Sequence, residues 1–229
     1  MEIAEFDQFS DEYYAMHKQN ISITGEAPEY FAEYKIKLLG KLISKTDRNT
    51  KSILDFGSGT GNSIPFFQEY FTSSLLTCAD VSQKSLDLGR SRFPNFGQDL
   101  LINGMNIATK SHAFDIVFSA CVFHHIPHSE HVEWLRELRR VVHPSGVAMI
   151  FEHNPFNPLT VMVVNNCPFD ANARLIRANQ LARRCRAAGW TSTSIRYHLF
   201  FPRVLAALRP LEQRLEAIPL GAQYSFVAS

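Results

Sequence analysis

The sequence predicts an α/β protein built on a doubly wound, mostly parallel sheet. Three observations predict it: short apolar runs alternate with segments of helical period, one such run leads straight into closely spaced glycines, and the next ends in an aspartate. Strands are expected over 52–56, 75–79, 99–102, 114–119, 147–152, 194–200 and 223–228. Most are short and nearly all apolar, as strands covered on both faces must be.

Taken in order, residues 1–50 are helical and aromatic and read as a lid over one end of the sheet. Pro28 opens a helix there whose apolar face is Phe31, Tyr34, Leu38 and Leu42. Ser82 caps a helix that ends at Phe93, ahead of Pro94. Ser129 is placed to cap another, with Val132, Leu135, Leu138 and Val142 on one face and a turn through 143–146 closing it. The segments 155–158 and 167–170 are too proline-rich for one continuous helix and are expected to wall an acceptor pocket. A last helix over 179–188 stops at Gly189. The chain is thus expected to form one domain: a lid (1–50), a ligand-binding core (51–155), and a substrate-side loop with the last helix and two strands (156–229).

Composition narrows the function classes. With 45% hydrophobic and 20% charged residues the chain can bury a full core, and no apolar run reaches the ~20 residues that span a bilayer. Lys plus Arg is 23 against 22 for Asp plus Glu, so global charge makes no case for a nucleic-acid partner. The start of the chain is acidic, and Cys78, Cys121, Cys167 and Cys185 include no CxxC pair, which together suggest a reduced, cytoplasmic protein. Locally the balance differs: residues 171–229 hold nine arginines and two glutamates. That excess suits either a solvated helix face or an anionic acceptor. The apolar and basic stretch Phe200-Phe201-Pro202-Arg203-Val204-Leu205 suits core packing, subunit pairing or peripheral membrane contact.

The sharpest motif is Asp55-Phe56-Gly57-Ser58-Gly59-Thr60-Gly61-Asn62, where a strand turns into a helix. Ligands bind at such turns, beyond the carboxyl ends of the strands, and glycine lets them approach the backbone. The third glycine comes one residue earlier than in the GxGxxG of dinucleotide folds, and no Lys-Ser or Lys-Thr follows to make a P-loop. Asp80, at the tip of the second strand, is placed to accept from ribose hydroxyls. Loop and acidic tip together specify an adenosine-type ligand.

In these residues, with Phe114-Asp115, Phe123-His124-His125-Ile126 and Leu138 to Gly146, the sequence resembles the class I S-adenosylmethionine-dependent methyltransferases of the small-molecule branch, over about residues 50–155. The resemblance implies a Rossmann-like three-layer α/β/α fold, with a seven-stranded, mostly parallel sheet and an antiparallel last strand. It implies S-adenosyl-L-methionine as cofactor, S-adenosyl-L-homocysteine as product, and segment 6–14, including Tyr14, as the closure over them. Gly57, Ser58 and Gly59 then line the methionine part, Asp80 holds the ribose, Val81 touches adenine, Ser119 and Ala120 contact the methionine end, and Asp55 and Asn62 are further cofactor contacts. Where the family has an aspartate for the adenine amino group, this chain has Asn103, followed by Gly104 and Met105. An asparagine carbonyl still accepts.

Methyl transfer from a sulfonium requires in-line positioning, and needs a base only when the acceptor is a poor nucleophile. Candidates for that base are His124, Glu152 and His153, the last two in the Glu152-His153-Asn154 corner that ends the fifth strand. His124, His125, His128 and His131 cluster in sequence, but no Asp or Cys set lies near enough along the chain to complete a metal site, so none is expected. The expected activity is O- or N-methylation of a small-molecule, glycan-like or lipid-linked acceptor. RNA or protein methylation, or a non-catalytic cofactor-binding role, are the alternatives.

Overall fold

The computed structural model describes residues 13–46 and 50–229. Seven strands form one sheet: β1 (Ser52–Phe56), β2 (Leu75–Asp80), β3 (Gln98–Leu101), β4 (Phe114–Ala120), β5 (Val142–His153), β6 (Thr193–His198) and β7 (Gln223–Ala228). Their order is β3-β2-β1-β4-β5-β7-β6, and β7 alone runs antiparallel to its neighbours. The order reverses between β1 and β4, so the loops after these strands diverge and leave a crevice at their carboxyl ends. The expected fold class, antiparallel last strand included, is the one found.

Helices cover both faces. On one side lie α2 (Pro28–Ile43), α3 (Ile64–Tyr70) and α4 (Gln83–Arg92), and on the other α5 (His131–Val141) and α7 (Ala178–Ala187); α1 (Tyr13–Asn20), which packs on α2, α6 (Pro158–Asn165) and the one-turn α8 (Glu212–Leu215) are the other helices of the described residues. The first side's core joins Ile36, Leu39, Ile64, Phe67 and Leu86 to Ile53, Ile116, Phe118 and Phe151 of the sheet. The second joins Trp134, Leu135, Leu138, Leu181 and Cys185 to Leu54, Phe56, Val117, Ile150, Tyr224 and Phe226. Alternate residues of β1, β4 and β5 thus serve opposite cores, which is why these strands read as unbroken apolar runs.

Several local expectations are corrected. The buried stripe of α2 is Lys35, Ile36, Leu39 and Ile43, not the face through Phe31, Tyr34, Leu38 and Leu42, which is only half-buried. That helix has two apolar sides, one against the sheet and one that includes Phe31 on a cavity wall. Ser129 does not cap α5, which begins after Glu130 without a side-chain cap. Residues 143–146 belong to β5 rather than closing a helix, but they bulge: Val142 pairs with Phe114 and Val147 with Ile116, so most of the turn is extruded. β6 stops at His198, because Leu199 takes φ 62 and leaves the extended region. The proline-rich stretch holds a helix after all. Pro158 sits at the first turn of α6, where its missing N–H costs nothing, and Asn157 caps that turn by accepting from the Thr160 N–H at 3.0 Å.

Candidate active site

A cavity of about 350 Å³ opens at the carboxyl ends of β1, β2, β4 and β5. Its size suits a ligand of cofactor or drug dimensions. One part of its wall comes from the glycine loop. Gly57 N–H and Ser58 N–H donate to Ala79 O at 2.8 and 3.1 Å, tying the loop to β2. A Cβ on Gly57 would stand 2.3 Å from Val122, so close packing alone demands that glycine. Gly59 differs: its φ is 52 and the space where a Cβ would point is open. It is a cradle whose free side is the cavity.

Two carboxylates face this loop. Asp80 Oδ2 accepts from Gly59 N–H at 2.8 Å and Oδ1 from Ser82 N–H at 2.9 Å, so Asp80 shapes the loop as well as lining the cavity. Asp55 also lines the cavity, fully buried, and its Oδ2 has no partner among the described residues. Burial, with the Asp80 charge, pushes its pKa up to about 7. A buried carboxylate oxygen with nothing to accept from is costly unless a donor arrives, and a ligand ammonium would supply one.

The rest of the wall is aromatic and imidazole-rich. Lys35, Tyr30 and Phe31 come from α2, Cys121, Val122, His124 and His125 from the turn after β4, His153 from the end of β5, and Asp170 from a single 3₁₀ turn, Pro168–Asp170. Cys121 takes φ 60, an uncommon conformation for a side chain of its kind, and it starts the turn that presents both histidines.

Glu152 organises that turn from beneath. Its Oε1 accepts from Val122 N–H at 3.0 Å and Phe123 N–H at 2.7 Å, and its Oε2 from His124 Nδ1 at 2.7 Å. Glu152 is completely buried and is not on the cavity wall. On the other side of His124, Nε2 faces Asp170 Oδ1 at 3.6 Å, and His125 Nε2 faces the same oxygen at 3.3 Å. Burial pulls the His124 pKa down, but the Glu152 charge and the bonds to both carboxylates outweigh it and carry it up to about 10. His153 lies 5.1 Å from His124, ring to ring, and there burial and the His124 charge win, holding it at about 4. His125 is lowered for the same two reasons. Burial raises the Asp170 carboxyl, but its bonds to His124 and His125 dominate and hold it well below the usual carboxylate range. At neutral pH the site therefore presents one imidazolium, His124, flanked by two carboxylates, beside two neutral imidazoles.

Of the residues expected to bind cofactor, Asp55, Gly57, Ser58, Gly59, Asn62, Asp80, Val81 and Ala120 line this cavity. Asn103, Gly104, Met105 and Ser119 do not: Asn103 is exposed and bridges to Asn106, Met105 packs on the core below α5, and Ser119 is fully buried. The Tyr14 side chain and residues 6–12 lie outside the described residues. Among the catalytic candidates, His124 and His153 are on the wall and Glu152 is behind it. Lys35 is not among the expected site residues, and Asp170 enters only within the 167–170 segment expected to wall an acceptor pocket. Lys35 is buried on a helix read only for its apolar face, and Asp170 is distant in sequence from the histidines it joins. The set His124, His125 and Asp170 offers three ligand atoms within 4.8 Å of one another, so the carboxylate that the sequence did not supply locally is delivered by the fold.

Residues 54–150 match the methyltransferase domain family. No curated protein matches the sequence. Among solved structures, the chain is similar to an S-adenosylmethionine-dependent methyltransferase of Thermotoga maritima, described as a possible histamine N-methyltransferase, with TM-score 0.69 and 16% identity over 99% of this chain and 98% of that one. It is also similar to phosphoethanolamine N-methyltransferase 2 of Haemonchus contortus, solved with S-adenosyl-L-methionine (TM-score 0.60, 16% identity, 83% of this chain and 52% of that one). The CurJ carbon methyltransferase gives TM-score 0.63 and 15% identity over 84% and 53% of the two chains. These neighbours share the fold and differ in the atom methylated.

Proposed function

With residues 54–150 matching the methyltransferase domain family, we propose that the chain is a class I enzyme that transfers a methyl group from S-adenosyl-L-methionine to an oxygen or nitrogen of a small-molecule, glycan-like or lipid-linked acceptor. The observation that carries this reading is that one cavity holds both the glycine cradle, with its unpartnered buried Asp55 oxygen, and a set of neutral imidazoles. Asp55 would hold the ammonium of the methionine part, Gly57, Ser58, Gly59, Asn62 and Ala120 would enclose it, Asp80 would accept from the ribose hydroxyls, and Val81 would touch adenine. Bound there, the cofactor supplies an electrophilic methyl on a sulfonium.

The chain's own task is to place the acceptor and take its proton. His124 is already protonated and Glu152 is occupied beneath it, so neither is free to act as base. We assign that role to His153, neutral and on the wall; burial and the His124 charge hold it at about 4, and the Asp170 and Glu152 charges offset part of that cost when the imidazolium forms. Glu152 is then a positioning residue that fixes His124 and the 122–125 turn. Because a sulfonium brings its own leaving group, no Lewis acid is needed, and treatment of the purified protein with a chelator should leave turnover unchanged.

The test is transfer of labelled methyl from S-adenosyl-L-methionine to a panel of amines, alcohols and sugars, free and lipid-linked. His153→Gln should lower kcat with an accepted substrate by roughly 10²-fold or more while sparing affinity for S-adenosyl-L-homocysteine. Equal turnover by this variant would remove His153 as the base, and failure to label any acceptor class while the cofactor binds would favour a non-catalytic role.

A further inference from the structure

The 3₁₀ segment Arg203–Leu211 contains no buried residue. Residues 203–208 are exposed without a break, although five of the six are apolar: Val204, Leu205, Ala206, Ala207 and Leu208. An amphipathic segment packed on its own protein buries the apolar side chains of one side, and this one buries none of them. Val204 is 87% exposed, and close by in the chain Leu220 is 60% exposed.

The segment continues a rim around the cavity mouth. Phe200, Phe201 and Pro202, which precede it, line the cavity, as do Ile23 and Leu159, themselves 56% and 55% exposed. Three hydrogen bonds stitch these pieces into one border. Arg203 Nη1 donates to Gly25 O at 3.3 Å, Asn20 Nδ2 to Val163 O at 2.9 Å, and Asn157 Nδ2 to Leu220 O at 2.8 Å. An exposed apolar border around a ligand mouth marks an interaction surface rather than scattered surface residues.

Charge selects the occupant. The acidic groups of the border are engaged: Glu26 by Arg209 at 2.6 Å, Glu216 by Arg196 at 2.6 Å, and Glu212, buried, by the N–H groups of Phe200 and Phe201. Arg203 and Arg214 are exposed and in no ion pair among the described residues. Apolar side chains interleaved with unpaired arginines are what an anionic lipid surface attracts, by shallow insertion and by charge together.

We propose that the border formed by Ile23, Leu159, Leu220 and the 203–211 segment docks on an anionic lipid bilayer. Docked, the mouth of the cavity faces the membrane, and the acceptor is an amphiphile presented from it. The docking claim rests on the border alone, and only the acceptor claim rests on the methyl-transfer reading of the cavity.

The experiment is co-sedimentation of the full chain with phosphatidylcholine vesicles and with vesicles that also contain phosphatidylglycerol, at low and high salt, with light scattering in parallel. The chain should partition onto the anionic vesicles at least tenfold more than onto the neutral ones, and less at high salt. The double variant Val204→Glu, Leu208→Glu should lose that partitioning by at least tenfold while its affinity for S-adenosyl-L-homocysteine stays that of the wild type. No partitioning of the wild type, equal partitioning of the variant, or a concentration-dependent dimer abolished by the variant without vesicle binding would each overturn the proposal. A chain that binds vesicles but methylates no amphiphile would retain the docking surface and reject the acceptor class.

Discussion

At the residue scale, Asp80 and His124 show what a buried charge does in two settings. Asp80 braces Gly59 and lines the ligand cavity, so Asp80→Ala removes both a charge-assisted ligand contact and a support of the loop. S-adenosyl-L-homocysteine affinity should fall by an amount on the order of 1.5–3 kcal/mol in titration calorimetry, and unchanged affinity would contradict the ribose assignment. His124 is raised to about 10 by Glu152 and Asp170, above its ordinary 6.5, so its pairing stabilises the fold fully below pH 6.5 and loses that contribution as pH rises through 10. Thermal melts should therefore show Tm declining from pH 7 to 10 in the wild type, and His124→Gln should flatten that decline; parallel curves for the two proteins would count against the carboxylate sandwich. His153 works in the opposite direction. Held at about 4, it favours the fold when neutral, and that preference is lost as pH falls from 6.5 towards 4. Glycine spacing and the strand-end aspartate made the cofactor side of the site readable from sequence, because both are local. The charge state of His124 was not readable, since it depends on Glu152 and Asp170 arriving from two other segments.

At the element scale, strand cores were the most legible part, and helix faces and ends the least. β1 and β7 fall where their apolar runs place them, because a fully covered strand leaves little room for a shift. The face of α2 was misplaced by one position because both the sheet and the cavity take apolar residues from it, which blurs a single stripe. α6 was missed because the prolines on either side of it were read as breakers, whereas Pro158 begins the helix and Asn157 caps it. That cap is testable. Asn157→Ala loses the bonds to the Thr160 N–H and to Leu220 O, and urea unfolding should report a loss of about 1 kcal/mol with m unchanged. No change in the midpoint would mean that α6 is held by packing alone.

At the scale of the whole molecule, the sheet gathers segments far apart in the chain around one cavity. β1 and β2 bring the glycine loop and Asp80, β4 and β5 bring His124 and His153, and the 3₁₀ turn after α6 brings Asp170 to both histidines. Sequence reading could name the first two contributions, but not the distance from Asp170 to His125, which only the closed fold sets. No helix among the described residues is long and apolar enough to cross a membrane. On the reading proposed above, the glycine loop and Asp80 form a site for S-adenosyl-L-methionine and not for a dinucleotide. The most direct measurement is calorimetric titration of the purified chain, wild type and Gly59→Val, with S-adenosyl-L-methionine, S-adenosyl-L-homocysteine and NAD. Saturable one-to-one binding of the first two to the wild type, none of NAD, and loss of both in the folded variant are the predicted result; binding of NAD alone, or undiminished binding by the variant, would contradict it.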